Sequence, residues 1–132
     1  MKLCYKDIAP ASQKNGNDGI KGGWIFEKMD YAALTILSEE HLSDLSGVFT
    51  VTHSANVKFV NSVYPHDYVE IYASIVDISH TTFFINVEFK TRKRKTKEWV
   101  TSAIADFNFV LLDEKSKKIS RIPREIINEF KR

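Results

Sequence analysis

The sequence predicts an α+β fold in which an antiparallel sheet of about five to six strands wraps round one long central helix, with a short helix near the C-terminus. Two observations predict it. Apolar residues recur with a helical period over residues 24–40, and they recur at every second position from residue 48 onwards. A helix that is apolar on most sides needs cover, and strands with one apolar face can provide it by curling round the helix.

Length and composition indicate a single domain over residues 1–132. Of the 132 residues 43% are hydrophobic and 27% charged, and the net charge is +2. A globular chain of this size can bury one core but has little room for a second. The nearly balanced charge does not predict a polyanion as partner, and no apolar run approaches the roughly 18 residues of a membrane span.

Cys4 is the only cysteine, which excludes an internal disulfide and a zinc site built on cysteines. A chain with one cysteine suits a reducing compartment, so we expect a cytoplasmic protein. The N-terminal residues lack the apolar stretch of a signal peptide. The four histidines are scattered without the paired spacing of metal ligands, so no metal site is predicted.

The N-terminal part of the chain predicts a short strand over residues 1–8, a polar loop over residues 10–23 and then the long helix over residues 24–40. A long polar loop in a small domain is more often functional than idle. One face of the helix is apolar at every turn, and further apolar residues widen it. The members of the face are Ile25, Met29, Ala32, Ala33 and Ile36, widened by Phe26, Leu34 and Leu37.

After a turn at residues 43–47, alternating apolar residues predict the strands of the sheet. They cover residues 48–52, 57–60, 68–78, 82–90 and 99–112. Pro123 begins a short C-terminal helix whose inner stripe holds Ile126, Ile127 and Phe130. Because such a sheet leaves edges that must be paired or covered, we expect a dimer that forms one continuous sheet.

Asp30 is the residue that most needs a chemical explanation. Its neighbours one helical turn away include Phe26, Ala33 and Leu34, and no Lys or Arg stands at these positions. A carboxylate against apolar walls is costly unless something satisfies it, and acids of this kind are candidate active-site groups. The pattern alone leaves a second interpretation open, in which Asp30 borders the wet face of the helix and is simply solvated.

Gly22 and Gly23 precede the predicted helix and let another group approach its backbone. Free N–H groups and the positive end of the helix dipole lie there, and such a site can hold the oxygen of a polarised carbonyl. A carbonyl-binding helix terminus followed by a lone acid indicates attack on an acyl group. A plain start of the helix remains the alternative.

The run from Asn15 to Asp30 resembles the signature of the hotdog-fold acyl-CoA thioesterases. It is most similar to the short bacterial YciA-like branch, which resembles the cytosolic acyl-CoA hydrolases of animals. The likeness extends over roughly residues 3–123, with departures at Asp18, Lys21, Ser62, His66 and Ser79. The positions that match the signature are Asn15, Gly22, Gly23, Trp24, Met29, Asp30, Ala32 and Ala33.

The resemblance implies the hotdog fold and hydrolysis of acyl-CoA to CoA and a free fatty or short organic acid. Asp30 would be the catalytic acid, either activating water or attacking the thioester itself. Asn15 would face it from the neighbouring subunit, with Asn17 as a second candidate because the loop residues are exchanged. The backbone N–H groups of Gly23 and Trp24 would contact the oxyanion.

The same resemblance implies no cofactor beyond the coenzyme A of the substrate. A membrane partner is not expected because no long apolar run is present, and a nucleic-acid partner is not expected for the reason given below. The resemblance also implies a homodimer that assembles into a hexamer, a trimer of dimers. A non-catalytic hotdog module that binds acyl-CoA as a sensor or interaction partner is the main rival. A dehydratase is a third possibility, which the lack of histidine between residues 1 and 40 disfavours.

Six basic residues crowd into residues 90–97, where two long strands must be joined. In the thioesterase interpretation some of them meet the phosphates of CoA, with Arg92, Lys93 and Arg94 as candidates and with Thr81 and Thr82 contributing from the start of the preceding strand. A solvated hairpin tip is the alternative. Nucleic-acid binding is disfavoured because the basic run has no interleaved aromatic residues.

Overall fold

The architecture, seen in a computed structural model that describes residues 1–132 apart from the side chain of Asp44, is a curved antiparallel sheet with one long helix on its inner face. The strand order is β1-β3-β4-β5-β2, and β6 pairs with the end of β5. The elements are β1 (Lys2–Ile8), α1 (Gly22–Glu40), β2 (Val48–Phe59), β3 (Tyr68–Ile78), β4 (Thr82–Arg92), β5 (Trp99–Asp113), β6 (Ile119–Ser120) and α2 (Arg124–Phe130), with two short 3₁₀ turns at Ala11–Gln13 and Leu42–Asp44. The predicted wrap of a sheet round one helix is confirmed.

Helix α1 begins at Gly22, two residues before its predicted start. All five members of its predicted inner face are buried, and so is Leu37. Phe26 and Leu34 are different, because they remain 39% and 37% exposed. The sheet of this chain therefore covers one side of α1 and leaves a second apolar stripe at the surface.

The centre of the core comes from β4 and β5, whose alternating pattern is confirmed. Each large apolar side chain removed from water here contributes roughly 1.5–3 kcal/mol to the free energy of unfolding. The helix-facing residues of the two strands are all buried: Phe83, Ile85, Val87, Phe89, Ala103, Ala105, Phe107, Phe109 and Leu111.

The prediction of two short strands at residues 48–52 and 57–60 is wrong, because β2 is one continuous strand. Its register with β5 shifts between Thr52 and Ser54, so His53 is an extra residue in the strand. Such a bulge exchanges the two faces of the strand, and the helix-facing positions change from even to odd numbers. The alternation is thereby interrupted, and the sequence pattern looks like two strands.

Two smaller features complete the fold. The two-residue strand β6 was not predicted, since it is too short to show a period. The C-terminal helix α2 follows Pro123 as predicted, and Ile126 is buried beneath it. Within the described part of the chain, neither helix has both the length and the apolar character that crossing a membrane requires.

Candidate active site

Asp30 lies on the side of α1 that faces the inner surface of β2. Its Oδ1 accepts a hydrogen bond of 2.6 Å from the Thr52 hydroxyl, and its side chain is half-buried. Among the residues described, no lysine or arginine forms a salt bridge with it. One hydroxyl leaves most of the acceptor capacity of a carboxylate unused, so Asp30 can still receive a proton or hold a water molecule.

The surroundings of Asp30 on the helix are apolar and partly open. Phe26 and Leu34 lie one turn before and one turn after it on the same stripe of α1. The ring of Phe26 packs against Phe107 of β5 with 5.6 Å between centroids, yet both stripe residues stay accessible in this chain. The acid thus sits in an apolar surface beside β2, rather than among solvated charges.

The start of α1 is open on the side of its backbone. Lys21 is the N-cap residue and makes no side-chain cap bond, and the Trp24 N–H donates to the Lys21 carbonyl at 3.1 Å. In the part of the chain that is described, the N–H groups of Gly22 and Gly23 have no acceptor. Of the two predicted oxyanion donors, Gly23 is therefore free and Trp24 is already engaged.

The two glycines at the helix start differ in their surroundings. A Cβ atom at Gly22 would lie 3.4 Å from the Phe59 ring, which is about van der Waals contact. A Cβ atom at Gly23 would have no neighbour within 4 Å. Gly22 thus lies against the end of β2, and Gly23 leaves room for a ligand atom beside the backbone.

An open groove of about 270 Å³ joins the polar loop to this helix start. Asn15, Asn17, Gly22 and Phe59 are among the residues that line it. The loop is a tight turn, because Asn15 N–H donates to the Gly19 carbonyl at 2.8 Å and Asn15 Oδ1 accepts from Asn17 N–H at 3.0 Å. Both candidate asparagines therefore line the same groove as Gly22, and the choice between them stays open.

Asp30 does not line this groove. It follows Gly22 by eight positions, which is about 12 Å along a helix axis. One copy of the chain therefore does not bring the acid and the asparagine loop together. That the asparagine faces the acid of a neighbouring subunit stays a prediction.

The sheet register assigns each part of the site to one end of the molecule. Thr52, which binds Asp30, pairs with Phe109, and Phe109 pairs with Phe83 at the Thr82 end of β4. At the other end of β2, Phe59 pairs with Ala103 near the end of β4 that carries Arg92. Along the strand direction, Asp30 and the start of α1 therefore lie towards opposite ends of β4.

The predicted CoA contacts are divided in the same way. Thr82 is the first residue of β4 and Thr81 lies just before it, whereas Arg92 is its last residue and Lys93 and Arg94 follow. The ten residue steps from Thr82 to Arg92 span about 33 Å. A single copy of the chain therefore does not bring the two threonines and the three basic residues to one place.

The basic residues also differ from one another. The Lys93 Nζ lies 3.4 Å from Asp67 Oδ2 and donates to the Ser62 carbonyl, so this side chain points into the protein. The Arg92 guanidinium stacks 5.7 Å over the Tyr68 ring. Arg94 is exposed and uses its backbone N–H to bind Asp67. Arg94 thus fits the alternative of a solvated hairpin tip, whereas Lys93 does not.

Sequence reasoning missed several residues of the region. Thr52 and Phe59 meet α1 only because of the bulge in β2, so no local signal indicated them. A second groove, of about 540 Å³, lies at the Thr81 end between His80, Arg121, Arg124 and Asn128. Arg121 and Arg124, on either side of Pro123, could have indicated this groove. They were overlooked because they are far in the sequence from the basic residues 90–97.

Comparison with known proteins decides the family. The family model of the thioesterase superfamily matches residues 20–98, a span that contains the helix start, Asp30 and the Thr81–Thr82 turn. The chain belongs to the thioesterase superfamily. An uncharacterised acyl-CoA thioester hydrolase of Buchnera aphidicola from Schizaphis graminum is 31% identical over 129 residues, which are 95% of this chain and 92% of the relative.

Solved thioesterases share the fold. A hexameric broad-specificity acyl-coenzyme A thioesterase is 27% identical, with a TM-score of 0.79 over 98% of this chain and 86% of that one. A hexameric hotdog-fold thioesterase of Campylobacter jejuni superimposes with a TM-score of 0.82 at 22% identity, over 98% of this chain and 96% of that one. The predicted hotdog fold is therefore confirmed, and the enzyme class of this thioesterase is thioester hydrolase.

Proposed function

We propose that this thioesterase hydrolyses acyl-CoA to CoA and a free fatty or short organic acid. The observation that carries the proposal is the half-buried Asp30 carboxylate, which Thr52 orients in an apolar surface beside the free edge of β2. Relatives whose names state acyl-CoA thioester hydrolysis support the choice of substrate. No cation among the described side chains pairs with this carboxylate, and proton transfer gives it a chemical use.

The reaction has two routes from the same carboxylate. In the first, Asp30 takes a proton from water, the hydroxide adds to the thioester carbon, and collapse of the tetrahedral intermediate breaks the carbon–sulfur bond. In the second, Asp30 attacks the carbon itself, CoA leaves as thiolate and water hydrolyses the resulting anhydride. In both routes the CoA sulfur finally carries a proton, and the acid product leaves as carboxylate.

The start of α1 is the best place to stabilise the oxyanion of the tetrahedral intermediate. The Gly23 N–H is free there, and the helix dipole adds partial positive charge. The Trp24 N–H, the other predicted donor, is held by the Lys21 carbonyl at 3.1 Å and can contribute only by sharing that bond. Gly23 is therefore the principal donor in this proposal.

The complete site requires two copies of the chain. β2 is an end strand of the sheet, so a second β2 can pair with it antiparallel about a two-fold axis. An axis near the middle of the strand places the Thr52 level of one copy beside the Phe59 level of the other. Asp30 then faces the helix start and the asparagine loop, with Asn15 or Asn17, of the partner.

The same two-fold axis resolves the division of the CoA contacts. It places Thr81 and Thr82 of one copy on the same side of the dimer as Arg92 and Arg94 of the other. One CoA molecule can then meet both groups, with the basic side chains near its phosphates. The hexamers of two solved relatives support a further assembly of dimers into a trimer of dimers. A cytoplasmic location, with no cofactor besides the CoA of the substrate, belongs to the same proposal.

Release of free thiol from a panel of acyl-CoAs tests the proposal. Native protein should release thiol, and Asp30→Asn should lower kcat by roughly 10²–10⁴ while folding and CoA binding persist, because general acid–base catalysis contributes that much. Glu27→Gln, an exposed change on the same helix, is the matched control and should behave as native.

Equal rates for native protein and Asp30→Asn would remove Asp30 from the mechanism. Binding of acyl-CoA without release of thiol, under any acyl chain length, would instead support the non-catalytic acyl-CoA-binding module.

A further inference from the structure

Asp67 is a buried carboxylate at the start of β3, and it is only 3% exposed. Its Oδ2 accepts the Tyr64 N–H at 3.0 Å, and its Oδ1 accepts the Arg94 N–H at 3.3 Å. Its own carbonyl accepts the Ala9 N–H at 2.9 Å. Asp67 therefore joins the end of β1, the β2–β3 connection and the β4–β5 hairpin at one point.

Lys93 supplies the countercharge. Its Nζ lies 3.4 Å from Asp67 Oδ2, and three quarters of its side chain is buried. The same ammonium donates to the Ser62 carbonyl. The hairpin holds Lys93 in place, because Lys93 N–H donates to the Glu98 carbonyl and Lys97 N–H donates to the Lys93 carbonyl, both at 2.8 Å.

The segment that the pair fixes is one wall of the asparagine groove. Ser62 and Val63 line that groove, and Val63 is 1% exposed. The Val63 carbonyl accepts the Ile20 N–H at 2.8 Å, and Ile20 closes the turn that carries Asn15. A continuous series of polar contacts and chain links therefore runs from Asp67 and Lys93 to the asparagine loop.

We propose that Lys93 and Asp67 are a positioning pair for the active site, and that Lys93 does not contact the CoA phosphates. The inference rests on the proposed function. A phosphate contact would take the Lys93 ammonium from Asp67 and leave that buried carboxylate without its countercharge, which is strongly unfavourable. Arg94, exposed on the same hairpin, reaches a phosphate without this cost.

Steady-state kinetics of Lys93→Met, Asp67→Asn and the double variant separate positioning from binding. If the pair positions the asparagine loop, kcat for acyl-CoA should fall about tenfold or more in Lys93→Met with KM within twofold of native, because small displacements of catalytic groups are costly to rate. Asp67→Asn should lower kcat in the same way. The double variant should be no worse than Lys93→Met, since it leaves no unpaired buried charge.

Hydrogen exchange supplies a readout that does not depend on activity. The Ile20 amide, bound to the Val63 carbonyl, should exchange faster in Lys93→Met than in native protein, while amides in the middle of β4 stay protected. Lys115→Ala, which removes one exposed positive charge from a distant turn, is the matched control for net charge and should change neither kinetics nor exchange. Lys93→Arg should restore most of kcat, because it can still pair with Asp67.

The inference is overturned if Lys93→Met raises KM and weakens inhibition by free CoA about tenfold at unchanged kcat, while Asp67→Asn behaves as native. Unchanged exchange at Ile20 in both single variants overturns it as well. Absence of thiol release from native protein would refute the proposed function alone, since the exchange measurement still decides whether the pair holds the loop.

Discussion

The two edges of the sheet are built differently. β1 has seven residues, exposed lysines at Lys2 and Lys6 and a register shift beside Cys4. β2 has twelve residues, and its helix-facing side chains Ala55 and Phe59 are exposed although they belong to the inner surface of the sheet. Both edge strands have a register shift, so the difference lies in length and in the exposed inner face. β1, a short edge strand with lysines, is protected from pairing, whereas β2, a long strand with exposed apolar side chains on its inner face, is suited to a partner.

The difference between the two edges also explains where the candidate site lies. Along β4 and β5 the inner surface is closed by α1, so nothing there is accessible to a substrate. Along β2 the same surface is half open, and Asp30, Thr52 and Phe59 lie in it. The edge that is open to a partner is therefore the edge that carries the candidate chemistry, and we expect assembly and activity to be lost together.

The largest expected effect follows from placing a charge on β2. Ala55→Arg should prevent pairing of two β2 strands, because a long charged side chain would have to be buried at the subunit contact. Light scattering should give the mass of a single chain, and thiol release should fall to the background rate. Leu3→Arg, an exposed change on the protected edge, should leave both quantities as in native protein. An Ala55→Arg protein that remains a dimer would show that another surface joins the subunits.

The next largest effect is on stability, where a buried aromatic residue of β4 can be compared with an exposed one of β2. Phe89→Ala on β4 should lower the free energy of unfolding by about 3–5 kcal/mol, because it leaves a cavity in a packed core. Phe59 is 55% exposed, so Phe59→Ala should lower the free energy of unfolding by less than about 1 kcal/mol. Denaturant unfolding in the Ala55→Arg background, where no subunit contact contributes, measures both. Equal losses would mean that β2 is as enclosed as β4.

A smaller effect concerns the hydrogen bond between Thr52 and Asp30. Thr52→Val keeps the shape of the side chain and removes the donor, so kcat for acyl-CoA should fall by about threefold to tenfold, the equivalent of one ordinary hydrogen bond. Thr52→Ser retains a hydroxyl and should stay near the native rate. Thr50→Val, on the same face of β2, is the control for a lost hydroxyl. A native kcat in Thr52→Val would mean that Asp30 is oriented by something else.

The smallest effect is expected on β1. Burial raises the pKa of the Cys4 thiol, which therefore stays protonated at neutral pH. Cys4→Ala should leave kcat unchanged, and iodoacetamide should label native protein more slowly than it labels a free thiol. The substitution also removes a protein thiol from the thiol-release assay. Rapid labelling with loss of activity would bring Cys4, and with it the β1 edge, into the site.

Much of the fold was predictable because the period of apolar residues is a local property. Met29 and Ile36 on α1, and Phe83 and Phe107 in the sheet, face the core as their spacing indicated. The pattern failed at His53, where one extra residue exchanges the faces of β2. Asp30 was recognised as unusual from its apolar neighbours, but the spacing gave no reason to connect it with a threonine on a strand.

By itself the sequence determined the α+β class, the inner face and the C-terminal end of α1, the strands β3 to β5, and the carboxylate that stands alone on the helix. Tertiary structure alone decided which groups meet. Asp30 and Thr52 are separated by 22 positions and Asp67 and Lys93 by 26, yet each pair lies within bonding distance. Such pairs depend on the register between strands and on the bulge in β2. Register is set by packing over the whole sheet, so it leaves no mark in the local spacing of residues.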